Sequence, residues 1–393
     1  MSPIPRLRAY CGPALLSYGF RPFFLFGALY AGLAILAWMP MLSGQLAVAS
    51  TFAPVDWHVH EMLYGYLAAV VAGFLLTAIP NWTGRLPIQG GPLLALFAVW
   101  VAGRVAVTLS AQIGWLAAAA IDCAFLILLI AACAREIVAG KNWRNLRVLV
   151  MVALLLAGNV AFHVEAHLRG HAEYGARVGI AAIMLLIVLI GGRIIPSFTR
   201  NWLVRENPGR LPTPFDRFDA ITLALSALAF VLWIALPNGW PTAVVLFAAA
   251  ALNVVRLARW AGDRTLRDRL VLILHVGYLF VPLGFLLAGL SALDLVMPSA
   301  AIHAWMAGAA GTMTLAVMTR ASLGHTGNAL TASPATQAIY AGVIIAALAR
   351  ICAALGPAWS AWTLDLAAYA WAAAFLGFAA AYGPMLLKAK RTE

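Results

Sequence analysis

The sequence predicts an all-α, polytopic membrane protein with about twelve transmembrane helices. Of its 393 residues, 64% are hydrophobic and only 10% are charged, whereas the surface of a water-soluble fold needs far more charge. Apolar runs long enough to cross a hydrocarbon core of ~30 Å recur along the whole chain. The net charge of +12 does not indicate a nucleic-acid partner, because the positive residues lie in short loops between the apolar runs. Membrane lipid is the partner that this composition requires.

The apolar runs place the transmembrane helices in order along the chain. Their predicted bounds are roughly 20–42, 58–80, 92–110, 113–134, 147–168, 176–196, 218–236, 240–258, 269–291, 298–320, 334–355 and 360–387. The first run begins near Phe20, follows Arg6 and Arg8, and lacks a small-residue cleavage site. It is therefore interpreted as a retained helix rather than a signal peptide. Residues 1–393 are treated as a single integral membrane domain.

The positions of lysine and arginine predict the orientation of the spans, because cytoplasmic loops carry an excess of both. Positive residues precede span 1 and follow spans 2, 4, 6, 8, 10 and 12, as Arg6, Arg8, Arg85, Arg135, Lys141, Arg144, Arg147, Arg200, Arg205, Arg210, Arg217, Arg256, Arg259, Arg264, Arg267, Arg269, Arg320, Lys388, Lys390 and Arg391. Among the opposite loops, only the loop after span 5 is basic, with Arg169 and Arg177. We therefore predict a multi-pass protein of the cytoplasmic membrane with both termini in the cytoplasm.

Eight histidines stand out in so apolar a chain, because an intramembrane ionisable side chain is costly unless it is paired or ligating. The predicted orientation places six of them near the outer ends of their spans: His58, His60, His163, His167, His171 and His303. His275 falls in the inner third of span 9, and His325 in an inner loop. Several imidazoles at one depth indicate a metal site inside the bilayer.

The string Trp57-His58-Val59-His60-Glu61 opens the second span. On a helix the two histidines are separated by ~200° and point to opposite sides, so one is predicted to ligate haem while the other faces a second site. Glu61 is predicted either to orient an imidazole or to donate protons. The alternative is an interfacial belt of Trp57, His58 and His60 that caps the helix.

The fifth span ends in histidines at i, i+4 and i+8, namely His163, His167 and His171. If helical, they form one stripe that drifts by ~40° per step, and histidines four residues apart can share one metal ion. Neutral imidazole suits copper, iron or zinc. The alternative is that His167 and His171 are solvated loop residues.

Four further intramembrane residues carry predictions of their own. His303, one turn into span 10, is a candidate iron ligand, or else a histidine bonded to a neighbouring carbonyl. Arg350, near the outer end of span 11, is predicted to contact a haem propionate, with ordinary snorkelling as the alternative. Arg104 and Asp122 lie at compatible depths on adjacent spans and predict a buried ion pair.

A threefold repeat is a further hypothesis. The inner ends of spans 2, 6 and 10 resemble one another in the strings 78–83, 194–199 and 316–319, and their threonines are 116 and 120 residues apart (83 to 199, and 199 to 319). Groups of four helices would then cover about 20–134, 147–258 and 269–387. The catalytic subunits of haem–copper oxidases have a similar architecture, with haem-binding histidines on helices 2 and 10. This chain lacks the further histidines that those subunits carry on helices 6 and 7.

Five ordered motifs resemble the NnrS family: residues 19–24 (GFRPFF), 57–62 (WHVHEM), 80–85 (PNWTGR), 191–196 (GGRIIP) and 318–327 (MTRASLGHTG). The resemblance covers nearly the whole chain. It implies a haem- and copper-containing integral membrane protein associated with denitrification and with resistance to nitric oxide. Seven residues at motif positions are features of the family by this resemblance: His58, His60, Glu61, Arg85, Arg193, Arg320 and His325. Asn328 departs from the arginine expected after Gly327.

The leading functional hypothesis is nitric oxide reduction at haem b and copper, by an oxidoreductase that resembles nitric oxide reductases. Glu61 is the predicted proton donor, and the candidate cofactor ligands and contacts are His58, His60, His163, His167, His303 and Arg350. The four cysteines form no C-x-x-C-H haem c motif, so membrane quinol or a separate carrier protein is the predicted electron donor. The alternatives are a non-catalytic haem protein that binds or senses nitric oxide, and a twelve-helix transporter.

Overall fold

The computed structural model describes residues 10–389, and the secondary structure of these residues is helical with no strand. Within this part of the chain, twelve helices are long and apolar enough to cross a membrane, which confirms the predicted fold class. In chain order, α1 to α12 are Phe20–Leu42, Pro54–Thr83, Gly91–Thr108, Trp115–Ala139, Trp143–Arg169, Tyr174–Glu206, Arg217–Ala235, Trp240–Arg264, Arg269–Ala292, Pro298–Thr326, Pro334–Leu355 and Ser360–Leu387. Four of the positive residues that predict the orientation, Arg6, Arg8, Lys390 and Arg391, lie outside the described residues.

Several helices extend further at their predicted inner ends than the sequence indicates, among them α6 and α10. The helix α6 continues through Pro196 to Glu206, because helices in membrane proteins tolerate an internal proline. The helix α10 continues through Arg320 to Thr326, and the Arg320 guanidinium packs 4.2 Å from the centre of the Phe198 ring. His325 consequently lies on a helix, where the sequence predicted an inner loop.

Two π-helical segments interrupt α2 and α10, and each begins directly after a histidine. The segment Glu61–Leu67 follows His60, and the segment Ala304–Gly311 follows His303. Each of the two helices also starts with a proline and has a glycine five residues after its histidine. Single π turns inside α-helices are frequent at functional sites. This shared pattern adds to the likeness between spans 2 and 10, while the threefold repeat stays a prediction.

The chain divides into two compact units. The first contains residues up to Gly179, together with Ala321–Ala329 and the chain from Phe378 onward, and the second contains Ile180–Arg320 and Leu330–Gly377. Of the histidines with predicted cofactor roles, His303 belongs to the second unit and the others to the first.

Two family-motif residues stabilise the first unit near the end of α12. The buried Arg21 donates hydrogen bonds to the carbonyl oxygens of Leu386 at 2.8 Å and Lys388 at 2.7 Å, groups that a helix end leaves without intrahelical partners. The His325 ring packs against Tyr18 and Phe20, with ring centres 5.6 and 5.4 Å apart. Burial raises the pKa of the Tyr18 hydroxyl. These contacts give Arg21 and His325 a structural role.

The second unit has a buried ion pair of its own, between Arg256 on α8 and Asp219 on α7, with Nε and Oδ1 2.8 Å apart. The Tyr278 hydroxyl accepts from Arg256 at 3.0 Å. Asp216 caps the start of α7 by accepting from the Phe218 amide at 3.0 Å. A hydrogen bond from the Arg259 guanidinium holds the pKa of the Asp216 carboxyl below its ordinary value.

Candidate metal centre

Six polar side chains from α2, α3, α4 and α5 form a buried cluster in the first unit. They are His60, Glu61, Arg104, Asp122, Asn159 and His163, and none is more than 5% exposed. Polar and charged groups inside a membrane span must form hydrogen bonds and ion pairs with one another, because the hydrocarbon core has no water to bind them. We call these six residues the histidine–carboxylate cluster.

Glycines let the helices that carry the cluster approach closely. A Cβ atom on Gly65 would lie 2.7 Å from Nη1 of Arg104 and 3.0 Å from Oε2 of Glu61, so this glycine leaves room for the ion pair in its observed position. Gly65 lies inside the first π segment, and its carbonyl accepts from Trp100 Nε1 at 3.0 Å. A Cβ atom on Gly103 would lie 3.2 Å from the Cα of Asp122, which shows how closely α3 and α4 meet.

One guanidinium joins the two carboxylates of the cluster. Arg104 donates through Nη1 to Oε2 of Glu61 at 2.6 Å and through Nη2 to Oδ1 of Asp122. The predicted pair of Arg104 and Asp122 is therefore confirmed, and Glu61 is an additional partner that the sequence did not predict. Tyr30 also donates to Glu61. Two carboxylates and one guanidinium leave one negative charge, which a proton on a histidine or a metal cation balances.

The histidines meet at the second oxygen of Asp122. Its Oδ2 lies 3.2 Å from Nε2 of His60 and 3.1 Å from Nε2 of His163. Asn159, one turn before His163 on α5, donates to the same oxygen at 2.7 Å, and its Oδ1 lies 3.0 Å from Nε2 of His60. Ligand atoms of His60, Asp122 and His163 all lie within 4.8 Å of one another, so the three side chains can hold a metal ion.

Two of the predicted ligands of the first unit lie outside the histidine–carboxylate cluster. His58 stacks on Trp38 with ring centres 4.2 Å apart, and this contact confirms that His58 and His60 point to different sides of α2. His167 is exposed and stacks on Trp115 at 4.2 Å, and neither histidine belongs to the group formed by His60, Asp122 and His163. His171 is exposed beyond the end of α5.

The predicted residues of the second unit have separate surroundings. His303 places Nδ1 2.7 Å from the carbonyl oxygen of Ser299, one turn earlier on α10. Arg350 is partly buried on α11 and forms no ion pair within residues 10–389. His275 shares a hydrogen bond of 2.8 Å with the Thr199 hydroxyl.

Asp122 is the functional candidate that the sequence analysis missed. The sequence placed it at a depth matching Arg104 but gave no sign that it faces α5. The only available signal was that depth, which His163 shares. His163 lies on the next helix at the same depth as Asp122. This shared depth could have added Asp122 to the candidate ligands.

The family model described as NnrS protein matches residues 14–390. The chain belongs to the NnrS family. No curated protein sequence matches the chain. Membership confirms the resemblance read from the five motifs and identifies a multi-pass membrane protein of nitric oxide metabolism. Of the NnrS-family motif residues, His60 and Glu61 lie in the histidine–carboxylate cluster, whereas Arg85 forms an ion pair with Glu136.

Proposed function

We propose that this NnrS-family protein binds nitric oxide and reduces it, using haem b and copper as cofactors. The observation that supports this most directly is the side-by-side placement of His60 and His163 in a buried intramembrane cluster with two carboxylates. Reductive coupling converts two nitric oxide molecules, two electrons and two protons into one nitrous oxide and one water. Membrane quinol or a separate carrier protein supplies the electrons.

The donor set of the histidine–carboxylate cluster fits a copper ion. Imidazole nitrogens with an adjacent oxygen donor are ligands that copper accepts. The Nδ1 of His60 lies 2.9 Å from Oε1 of Glu61, and a carboxylate behind a ligating imidazole fixes its orientation and raises its basicity. We therefore assign Glu61 to the orientation of His60, because its Oε1 lies against His60 while Arg104 and Tyr30 donate to its other oxygen, Oε2. Copper would supply a second position for nitric oxide or for its oxygen.

The surroundings of His303 fit a histidine that would ligate haem iron. A ring N–H that donates to a backbone carbonyl sets the tautomer in which Nε2 ligates iron, and Nδ1 of His303 has this relation to Ser299. The partly buried guanidinium of Arg350 is suited to a haem propionate. Haem would supply an iron that binds nitric oxide and exchanges one electron.

The test is a nitric oxide consumption assay on the detergent-purified, anaerobic protein with a quinol as reductant. We expect catalytic consumption with formation of nitrous oxide. His303→Ala is expected to lose the haem absorbance together with turnover, whereas His167→Ala, an exposed histidine stacked on Trp115, keeps both.

The other outcomes separate the alternatives. Stoichiometric binding of nitric oxide without turnover would favour the non-catalytic binding or sensing protein. A folded protein with neither haem nor copper would contradict the proposal and favour the transporter.

A further inference from the structure

We infer that Asp122 is a direct metal ligand, so that the first unit holds one divalent transition-metal ion on two histidines and one carboxylate. The site consists of Nε2 of His60, Oδ2 of Asp122 and Nε2 of His163. This inference deepens the proposed function and rests on it only in placing a metal ion at the histidine–carboxylate cluster.

Two of the three distances between the donor atoms match adjacent positions around one ion, and the third pair of atoms lies within 4.8 Å. Metal–ligand bonds of about 2.0–2.2 Å at right angles put neighbouring donor atoms about 3 Å apart. Oδ2 of Asp122 lies 3.2 Å from one imidazole nitrogen and 3.1 Å from the other. Three donors on one side of an ion leave the opposite positions for water or nitric oxide.

Two of the three ligands, His60 and Asp122, are held in place by contacts of their own. Arg104 occupies Oδ1 of Asp122, so only Oδ2 faces the histidines and the carboxylate offers a single ligand atom. Glu61 accepts from Nδ1 of His60 at 2.9 Å. Asn159 donates to Oδ2 of Asp122 at 2.7 Å and fixes the rotation of the carboxylate. Such supporting partners commonly change metal affinity about 10–100-fold when removed.

The chemistry of the donors restricts the class of ion. The group contains two imidazole nitrogens and one carboxylate oxygen and no sulfur. Thiolate and thioether ligands select copper(I), whereas two histidines with one carboxylate suit iron(II), copper(II) or zinc. The single negative charge left by Glu61, Asp122 and Arg104 favours a cation at the same place. A divalent transition-metal ion, iron(II), copper(II) or zinc, meets both conditions.

The test is the metal content of the full-length protein, measured by mass spectrometry after expression with iron, copper, zinc and manganese all supplied. Asp122→Asn keeps the shape of the side chain and leaves Arg104 paired with Glu61, so no uncompensated charge remains. We expect this variant to lose a stoichiometric divalent ion. Asp122→Glu keeps a carboxylate and is expected to retain the ion with weaker affinity. The matched control is Asp219→Asn, which removes a buried carboxylate from the second unit and leaves the ion in place.

The outcomes distinguish this inference from the proposed function. An ion that is lost in His60→Ala but retained at full stoichiometry in Asp122→Asn would overturn Asp122 as a ligand, even if nitric oxide turnover persists. The absence of any such ion from the folded wild-type protein would overturn the site itself. An Asp122-dependent ion in a protein that does not react with nitric oxide would support the inference and contradict the function.

Discussion

Replacing Arg104 with methionine is expected to lower the free energy of unfolding by about 3–5 kcal/mol, because it leaves two buried carboxylates without their shared cation. Glu61 and Asp122 are 0% and 2% exposed, and Arg104 bridges them with hydrogen bonds from both terminal nitrogens. The measurement is the thermal unfolding midpoint of the purified protein in one fixed detergent.

The matched control for this prediction is Arg177→Met. Arg177 pairs with Glu173 four residues away at 2.5 Å, and that glutamate side chain is 47% exposed. Pairs of this kind contribute about 0–1 kcal/mol, so the control should unfold almost as the wild type does. An Arg104→Met protein as stable as the control would contradict the charged, desolvated cluster described above.

Gly175→Ala is expected to separate α5 from α6 and to displace His163, the proposed metal ligand on α5. A Cβ atom on Gly175 would overlap the backbone nitrogen of Phe162 and lie 2.5 Å from its Cα, so backbone rather than a flexible side chain has to move. His163 follows Phe162 directly. We expect a loss of about 1–3 kcal/mol of stability, in line with overpacked sites, and a loss of the ion bound by His163.

Gly91→Ala is the matched control for Gly175→Ala. A Cβ atom on Gly91 meets no atom within 4 Å, and this glycine begins α3 without a positive φ. Its stability should change by no more than about 0.5 kcal/mol. If Gly175→Ala instead kept the wild-type stability and the full metal content, the close crossing of α5 and α6 would not be what positions His163.

Much of the fold was predictable because a membrane span needs a long apolar run whatever it packs against. The number and order of the helices follow from this requirement alone. The predicted inner ends of α6 and α10 did not follow from it, because these helices continue past Pro196 and Arg320 into residues that the sequence analysis assigned to loops. Where α10 continues past Arg320, the Arg320 guanidinium packs on the Phe198 ring. The hydrophobic pattern of the sequence does not reveal such a contact between two helices.

The depth of the site residues along their helices was predictable, but the direction in which their side chains point was not. The orientation of the spans brought His60 and His163 to one level, and the structure places their ring centres 4.9 Å apart. Packing determines which face of each helix meets a neighbour. Gly65 is one example, because its lack of a side chain leaves room for the Arg104 guanidinium. His167 shares the helical stripe of His163, yet one further turn places it on Trp115 at the surface. Asp122 was assigned to an ion pair, and the structure adds both histidines to its contacts.

The most direct test of the central claim, that the histidine–carboxylate cluster is a metal site, is X-ray absorption at the edge of the metal in the purified wild-type protein. We predict a first shell of nitrogen and oxygen only, at about 2.0–2.2 Å, with the outer-shell scattering of two imidazole rings. That result matches His60 and His163 together with Asp122. A first shell that contains sulfur, or a folded protein that holds no ion besides haem iron, would contradict the claim.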